Sequence, residues 1–318
     1  MMRNLYTALC AMVLVIAGTS AHAQSANTFV SATGSDGNAC TQALPCLTFQ
    51  RALTQTAAFG SILCLNSGLY STTPLTITQS VTIDCGTGNV GKMDLSTSGT
   101  TAIIINGSST VHVTLRHLSL LGFPGTSGIV TTGFPPGSSL DIEQSLIGSF
   151  QGSGGVGGFG VSFTPTGSGR STLAISDSLL VANGVAVSVV PPSGQIASVL
   201  FANCGLSGST TDGVDLAGAG VIAGDMRDCV VANNAGNGFS GSSAGGVFFT
   251  IENSTFSANL GVGIQTNSAA ASVDVAGSTI GGNGTGVQSL SGSLASFGTN
   301  HISANGVSGS FTSKISQQ

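Results

Sequence analysis

Charged residues make up only 6% of these 318 residues, so the few that cluster are where chemistry could happen. Asp141 and Glu143 stand two apart in the alternating run Leu140-Asp141-Ile142-Glu143. A strand would put both carboxyls on one face, within reach of the acid/base pairs that cleave glycosidic bonds. Arg116 precedes Glu143, and Arg227 precedes Glu252, by one repeat of the sequence described below, so each arginine is expected one rung beneath a glutamate. Arg116, Asp141, Glu143, Asp225 and Arg227 are therefore the candidate catalytic residues. Asp212, Asp215, Asp225 and Asp228 are the densest acidic group. The first three could ligate a hard cation, calcium first, although Arg227 sits among them and Asp228 falls at a bend. The same charges also fit plain surface pairing between neighbouring rungs, which is worth little energy. His112, outward near Arg116, and His117, at a bend, read as surface and turn residues.

What positions these groups is a repeat. An apolar residue recurs at Leu115, Ile142, Ile175, Phe201, Met226, Ile251, Val275 and Phe297, and an anchor follows five positions later at Leu120, Ile147, Leu180, Leu206, Val231, Phe256, Ile280 and Ile302. A period of some 22 to 33 residues with a fixed internal pattern implies stacked units, each too small to bury its own apolar face. Segments such as Val111-His112-Val113-Thr114-Leu115 alternate as strands do. The five-residue step breaks that alternation, so a bend is expected at His117, Gln144, Asp177, Asn203, Asp228, Asn253, Gly277 and Thr299. The next column, Leu118, Ser145, Ser178, Cys204, Cys229, Ser254, Ser278 and Asn300, is small or hydrogen-bonding, as rung-to-rung bonding requires. Asn183, Asn234, Asn259, Asn283 and Asn305 each fall three residues past an anchor with glycine close behind. They predict a second turn built on left-handed backbone.

Short strands and tight bends at this period predict an all-β chain, a right-handed parallel β-helix. An open end of such a stack needs covering. Phe49, Ala52, Leu53, Thr56 and Ala57 form the apolar stripe of a short capping helix, with Thr48 as N-cap and Gly60 as terminator. The expected organisation is a signal peptide over residues 1–23, an N-terminal cap with a short helix over 24–60, the β-helix over 61–310 and a C-terminal tail over 311–318. Arg3, the apolar run from Leu5 to Ala17 and the small-x-small site Ala21-His22-Ala23 carry the signal reading. No later stretch is apolar and long enough for a transmembrane helix. Export to the periplasm, cell surface or medium follows.

The chain has seven basic and twelve acidic residues. Removing Arg3 leaves a formal charge of −6, which disfavours nucleic acid and anionic surfaces as partners. Glycine is abundant at 48 residues, yet Val, Ile, Leu and Phe are too plentiful for disorder. Six cysteines remain after the signal, an even number in an oxidising compartment. Cys40 and Cys46 could clip a loop around Pro45, and Cys64 and Cys85 lie about one coil apart. Cys204 and Cys229 share a repeat position, as a disulfide or as stacked buried thiols.

The run from Thr28 to Asn38 with Cys40, then Pro45-Cys46-Leu47-Thr48-Phe49-Gln50-Arg51-Ala52, resembles the N-terminal cap of secreted right-handed β-helix proteins of the pectate-lyase-like superfamily. Ile62-Leu63-Cys64-Leu65, Gly68-Leu69-Tyr70 and Leu75 to Cys85 resemble that family's first coils, and the Asn-x-Gly repeats its later ones. The resemblance implies polysaccharide partners. The catalytic segments of its polygalacturonases (Asn-Thr-Asp, paired aspartates, His-Gly, Arg-x-Lys) are not found. The Gly-Gly-x-Gly-x-Asp calcium repeat is missing too, since Gly154-Gly155-Val156-Gly157-Gly158-Phe159 lacks the acid. Without Trp, and with Tyr70 as its only tyrosine after the signal, the chain is poor in the flat aromatics that grip sugars. The expected function is an extracellular or surface binding or structural module, associated with a polysaccharide or cell-surface glycan, with no cofactor beyond a calcium ion. The alternative is a polysaccharide lyase or glycoside hydrolase.

Overall fold

The computed structural model describes residues 24–86, 88–97, 99–122, 127–152 and 158–316. The expected signal segment and most of the Gly154–Gly158 stretch lie outside them. Within them the chain winds as a right-handed parallel β-solenoid of about nine turns. Each turn visits three faces. One circuit runs Gln195–Ala202 on the first face, Gly205–Ser207 on the second and Val214–Leu216 on the third, before Val221–Arg227 begins the next. The second face is a ten-stranded sheet of its own. The first and third merge into one sheet because Val262–Ala276 and Thr285–Ser296 run unbroken from one to the other.

The inner file of the first face follows the repeat. Leu115, Ile142, Ile175, Phe201, Met226, Ile251 and Val275 are register partners in succession and all are buried. Truncating Phe201 to alanine would cost about 3–5 kcal/mol in such a core. The file departs from expectation at its last member. Val275 pairs with Ser296, not Phe297. This bend is one residue longer, and Gly298 (φ +79°) takes the left-handed position expected of Thr299. The second-face anchors from Leu120 to Ile280 are buried in one file, and Ile302 continues it, partly buried.

The first bend forms where the sequence puts it. His117, Gln144, Asp177, Asn203, Asp228, Asn253 and Gly277 all have φ between 49° and 57°. From Ser145 onward the residue after each bend repairs the interrupted ladder. Ser145 Oγ accepts from the Leu118 amide (3.1 Å) and donates to Glu143 O (2.8 Å), and Ser254 Oγ does the same for Cys229 N (3.1 Å) and Glu252 O (2.8 Å). Cys204 and Cys229 are free, buried thiols that take the hydroxyl's place. Cys229 Sγ accepts from Cys204 N (3.4 Å) and donates to Arg227 O (3.2 Å).

At the second bend the asparagines do not take the left-handed turn. The residue before each does: Ala182, Asn233, Ala258, Gly282 and Ala304 carry φ from 54° to 71°. Asn183, Asn234, Asn259 and Asn283 instead point inward and are buried. Asn234 Nδ2 donates to Asn259 Oδ1 (2.9 Å), Asn259 Nδ2 to Asn283 Oδ1 (2.8 Å) and Asn283 Nδ2 to Asn305 Oδ1 (3.0 Å). Buried amides need partners, and a column of identical amides supplies them rung by rung.

The capping helix α1 spans Phe49–Gln55, with Thr48 Oγ1 accepting from Arg51 N (3.1 Å) and Phe49, Ala52 and Leu53 buried. It stops at Gln55. The strand Thr56–Cys64 starts at once, contains Gly60 and crosses the expected 60/61 boundary, so Gly60 does not terminate the helix and Ala57 lies outside it. The strand Ser25–Val30 lies parallel against Thr56–Cys64 and extends the stack into the cap region. Disulfides join Cys40 to Cys46 and Cys64 to Cys85, the second tying two consecutive rungs. At the far end, Ser313 and Lys314 pair with Ala295 and Ser296, so the sheet continues into the segment expected to be a tail.

Candidate functional site

Parallel registry turns the repeat into outward columns. On the first face one column reads Thr82, Thr114, Asp141, Ala174, Leu200, Asp225, Thr250 and Asp274. Its neighbour reads Asp84, Arg116, Glu143, Ser176, Ala202, Arg227, Glu252 and Ala276. Arg116, Asp141 and Glu143 are thus brought together. Arg116 and Glu143 pair closely: Nη2 donates to Oε1 at 3.2 Å, while Nε lies 2.9 Å from Oε2 as an ionic contact without hydrogen-bond alignment. On the rung below, Asp84 stands 3.9 Å from Arg116 Nη1 and 2.8 Å from His117 Nδ1. Burial pushes the Asp84 carboxyl up, but the Gly86 amide, His117 and Arg116 together hold it below its ordinary value. Asp141 moves the other way: burial raises its pKa and Glu143 adds to the rise, against a hydrogen bond from Ser139 (3.3 Å).

Asp225 and Arg227 sit three rungs further along the same two columns. Arg227 bonds Asp225 on its own strand (3.3 Å), with both about half exposed, and does not reach up to Glu252. Local i, i+2 geometry wins over the rung-to-rung pair the sequence suggests. The expected acidic cluster also comes apart. Asp225 belongs to the first face, whereas Asp212 and Asp215 lie at the third, where Asp215 projects from Val214–Leu216. Among the described residues no group of three or more His, Cys, Asp or Glu is placed to hold a metal.

A groove of about 430 Å³ lies at the corner between the first and second faces. It crosses four successive rungs, marked by Lys92, Ser119, Leu146 and Leu179, which are register partners. Val90, Leu146 and Leu179 give it apolar contact surface, and Asn89, Lys92, His117, Gln144 and Asp177 supply polar groups. The bends make this corner: a left-handed residue turns His117, Gln144 and Asp177 outward on consecutive rungs. His117 is therefore more than a turn residue, since its ring both bonds Asp84 and lines the groove. Asp84 and Lys92 escaped the sequence reading. Extending the Arg116 column down one rung would have found Asp84; nothing in the repeat marks Lys92.

Tyr70 is buried against Phe49 (ring centroids 5.0 Å apart) and bonded to Asn66. Among the described residues two phenylalanines are exposed. Phe59 stands 6.3 Å from the His112 ring, and Phe248 projects from the first face beside Ala223.

A family model described as right handed beta helix region matches residues 186–316. Among solved structures, pectate lyase Pel9A superposes with a TM-score of 0.54 at 14% identity, over 93% of this chain and 79% of that one. A rhamnogalacturonan lyase gives 0.46 at 12%, over 85% and 75%. The Dettilon tailspike protein gives 0.41 at 14%, over 86% and 67%. No curated protein matches the chain in sequence. At these identities the likeness is one of fold.

Proposed function

We propose that this right-handed parallel β-helix protein of pectate-lyase-like architecture is exported and works as a non-catalytic glycan-binding module, with the ligand laid along the corner groove. The observation that carries the reading is the groove's course: it runs along the stacking axis over four rungs, about 14 Å at ~4.8 Å per step, and pairs an apolar surface with a polar rim. A linear polymer laid along it would meet a polar bend residue on three successive rungs, His117, Gln144 and Asp177. The neighbouring charges are occupied with one another, Glu143 on Arg116 and Asp84 on His117, which leaves them to shape the rim. Two disulfides fit an oxidising compartment.

One observation favours the enzymatic alternative. Asp141 has a raised pKa beside Glu143, the asymmetry that acid/base hydrolysis uses. The two readings separate in one experiment. The protein is passed over immobilised uronate and neutral polysaccharides and, in parallel, incubated with them while unsaturated products and new reducing ends are measured. The binding reading expects retention without turnover, weakened severalfold or more by Lys92→Ala and by Gln144→Ala. Turnover abolished by Glu143→Gln would overturn it.

A further inference from the structure

We propose that a pocket in the N-terminal cap, walled on one side by Arg51, binds the carboxylate of a small organic acid. The inference does not depend on the glycan reading, because no residue of the corner groove lines this pocket.

The helix α1 carries Arg51 and Gln55 one turn apart on a single face, while Phe49, Ala52 and Leu53 are buried on the other. Opposite them the loop between Ser25–Val30 and α1 supplies Gly37, Asn38, Ala39 and Leu44, and the six residues surround a cavity of about 330 Å³. The loop is fixed in place. A disulfide joins Cys40 to Cys46, Asn38 Nδ2 donates to Pro45 O (2.8 Å), and Leu44 N donates to Thr41 O (3.2 Å). Residues 24–83 contain one acid and one base, Asp36 and Arg51. They do not pair. Asp36 Oδ1 accepts from the amides of Leu47 and Thr48 (both 2.9 Å), and Oδ2 accepts from Thr48 Oγ1 (2.9 Å), so the start of α1 is already occupied and forms no part of the site. Among the described residues Arg51 makes no ion pair. Its Nε is buried without a partner, and its one side-chain hydrogen bond runs from Nη2 to Asn38 O at 3.5 Å. Internal bonding therefore does not account for a guanidinium in this wall. Nη1 has no partner either and, unlike Nε, is not shut off from solvent.

The lining identifies the ligand class. Arg51 is the only charged residue in it, and one guanidinium matches one carboxylate through two parallel N–H···O bonds. A phosphate dianion would keep a charge unmatched. Gln55 adds an amide that can donate to or accept from a ligand hydroxyl, since its Nε2 is held only by Thr54 Oγ1 (3.3 Å). Leu44, 56% exposed, offers an apolar edge to the carbon skeleton. The volume lies at the small end of ligand pockets, which suits a small acid and not a polymer.

The test is a titration followed by proton–nitrogen NMR, in which the buried Nε–H of Arg51 gives a signal of its own. The probes are D-glucuronate, D-glucose and inorganic phosphate at pH 7. Glucuronate should shift the Arg51 Nε–H, the Gln55 side-chain amide and the Ala39 backbone amide along one saturable curve. Glucose, which lacks the carboxylate, should move none of them, and phosphate should bind at least tenfold more weakly. Arg51→Gln should abolish the shifts at Gln55 and Ala39. If Arg51→Gln does not fold, Gln55→Glu serves in its place: the new carboxylate, four residues along α1, occupies Arg51 and should cut glucuronate affinity at least tenfold. Arg170→Gln removes an equal charge from an exposed position on the first face and should leave the titration unchanged. No saturable shift with glucuronate, equal shifts with glucose, phosphate binding as tight, or binding that survives Arg51→Gln or Gln55→Glu overturns the site, as does an equal loss in Arg170→Gln.

Discussion

Replacing Asn259 with alanine tests whether the asparagine column holds the stack together. Asn259 is fully buried. Its Oδ1 accepts from Asn234 N (3.1 Å) and Asn234 Nδ2 (2.9 Å), and its Nδ2 donates to Val231 O (3.1 Å) and Asn283 Oδ1 (2.8 Å). Alanine deletes all four bonds and leaves buried groups on three neighbouring residues without those partners. At about 1 kcal/mol net per bond the cost is about 4 kcal/mol, and more if the orphaned groups stay dry. Asn305 ends the column and is only partly buried. It accepts from Asn283 N (2.9 Å) and Nδ2 (3.0 Å) and donates to Ile280 O (2.9 Å), but water can replace it. Asn305→Ala should cost about 1–2 kcal/mol. Urea unfolding followed by far-ultraviolet circular dichroism gives both values. A stack can open locally, so amide exchange of residues 256–284 should show whether the loss is confined to the rungs around Asn259. Equal costs for the two variants would refute the argument that buried amide stacking, rather than apolar packing alone, sets rung cohesion.

The thiol ladder gives a second contrast: Cys229→Ser should stay within about 1 kcal/mol of wild type, while Cys229→Val removes the acceptor for Cys204 N and should cost about 1–3 kcal/mol. Thermal melts that rank valine equal to serine would show the sulfur to be mere filler. The two displaced carboxyls predict opposite slopes of stability with pH. Asp215 is raised from 3.8 to about 6, so the folded state holds more protons in that interval and stability falls as pH rises through it; Asp215→Asn should flatten the fall. Asp84 is held below its ordinary value, so its contribution is present above that value and is lost as pH falls through the folded pKa; Asp84→Asn should remove that loss. Denaturation midpoints measured from pH 3 to 8 check both signs, and unchanged slopes would contradict them.

The parts of the fold legible in the sequence are those the stack imposes on every turn. The inner file from Leu115 to Val275 could be read because burial forces an apolar residue at a constant position. The first bend could be read because left-handed backbone forces polar or small residues there. The asparagines misled as to which residue turns, since Asn is enriched both in left-handed conformations and where a buried amide bonds across rungs. Only the three-dimensional position of Ala182 or Ala258 separates the two causes. The end of α1 was misplaced because Thr56 and Ala57 suit either a helix or the inner file. The partner of Arg227 was misplaced because the column registry is right but the arginine is long enough to bond within its own strand.

Charge on the outer surface then divides by whether it is already compensated. Asp84, Arg116 and Glu143 pair across three successive rungs and His117 bonds Asp84, so they persist at little cost and define a shape more than a demand. Asp212 and Asp215 are the reverse: half or more withdrawn from water, raised in pKa and without a cationic neighbour. An exposed column on a solenoid is easily altered without harm to the core, because the inner files carry the cohesion. A repulsive, desolvated pair in such a column is therefore destabilising by itself. Compensation, more than charge density, decides whether charge on this scaffold stabilises or destabilises the fold.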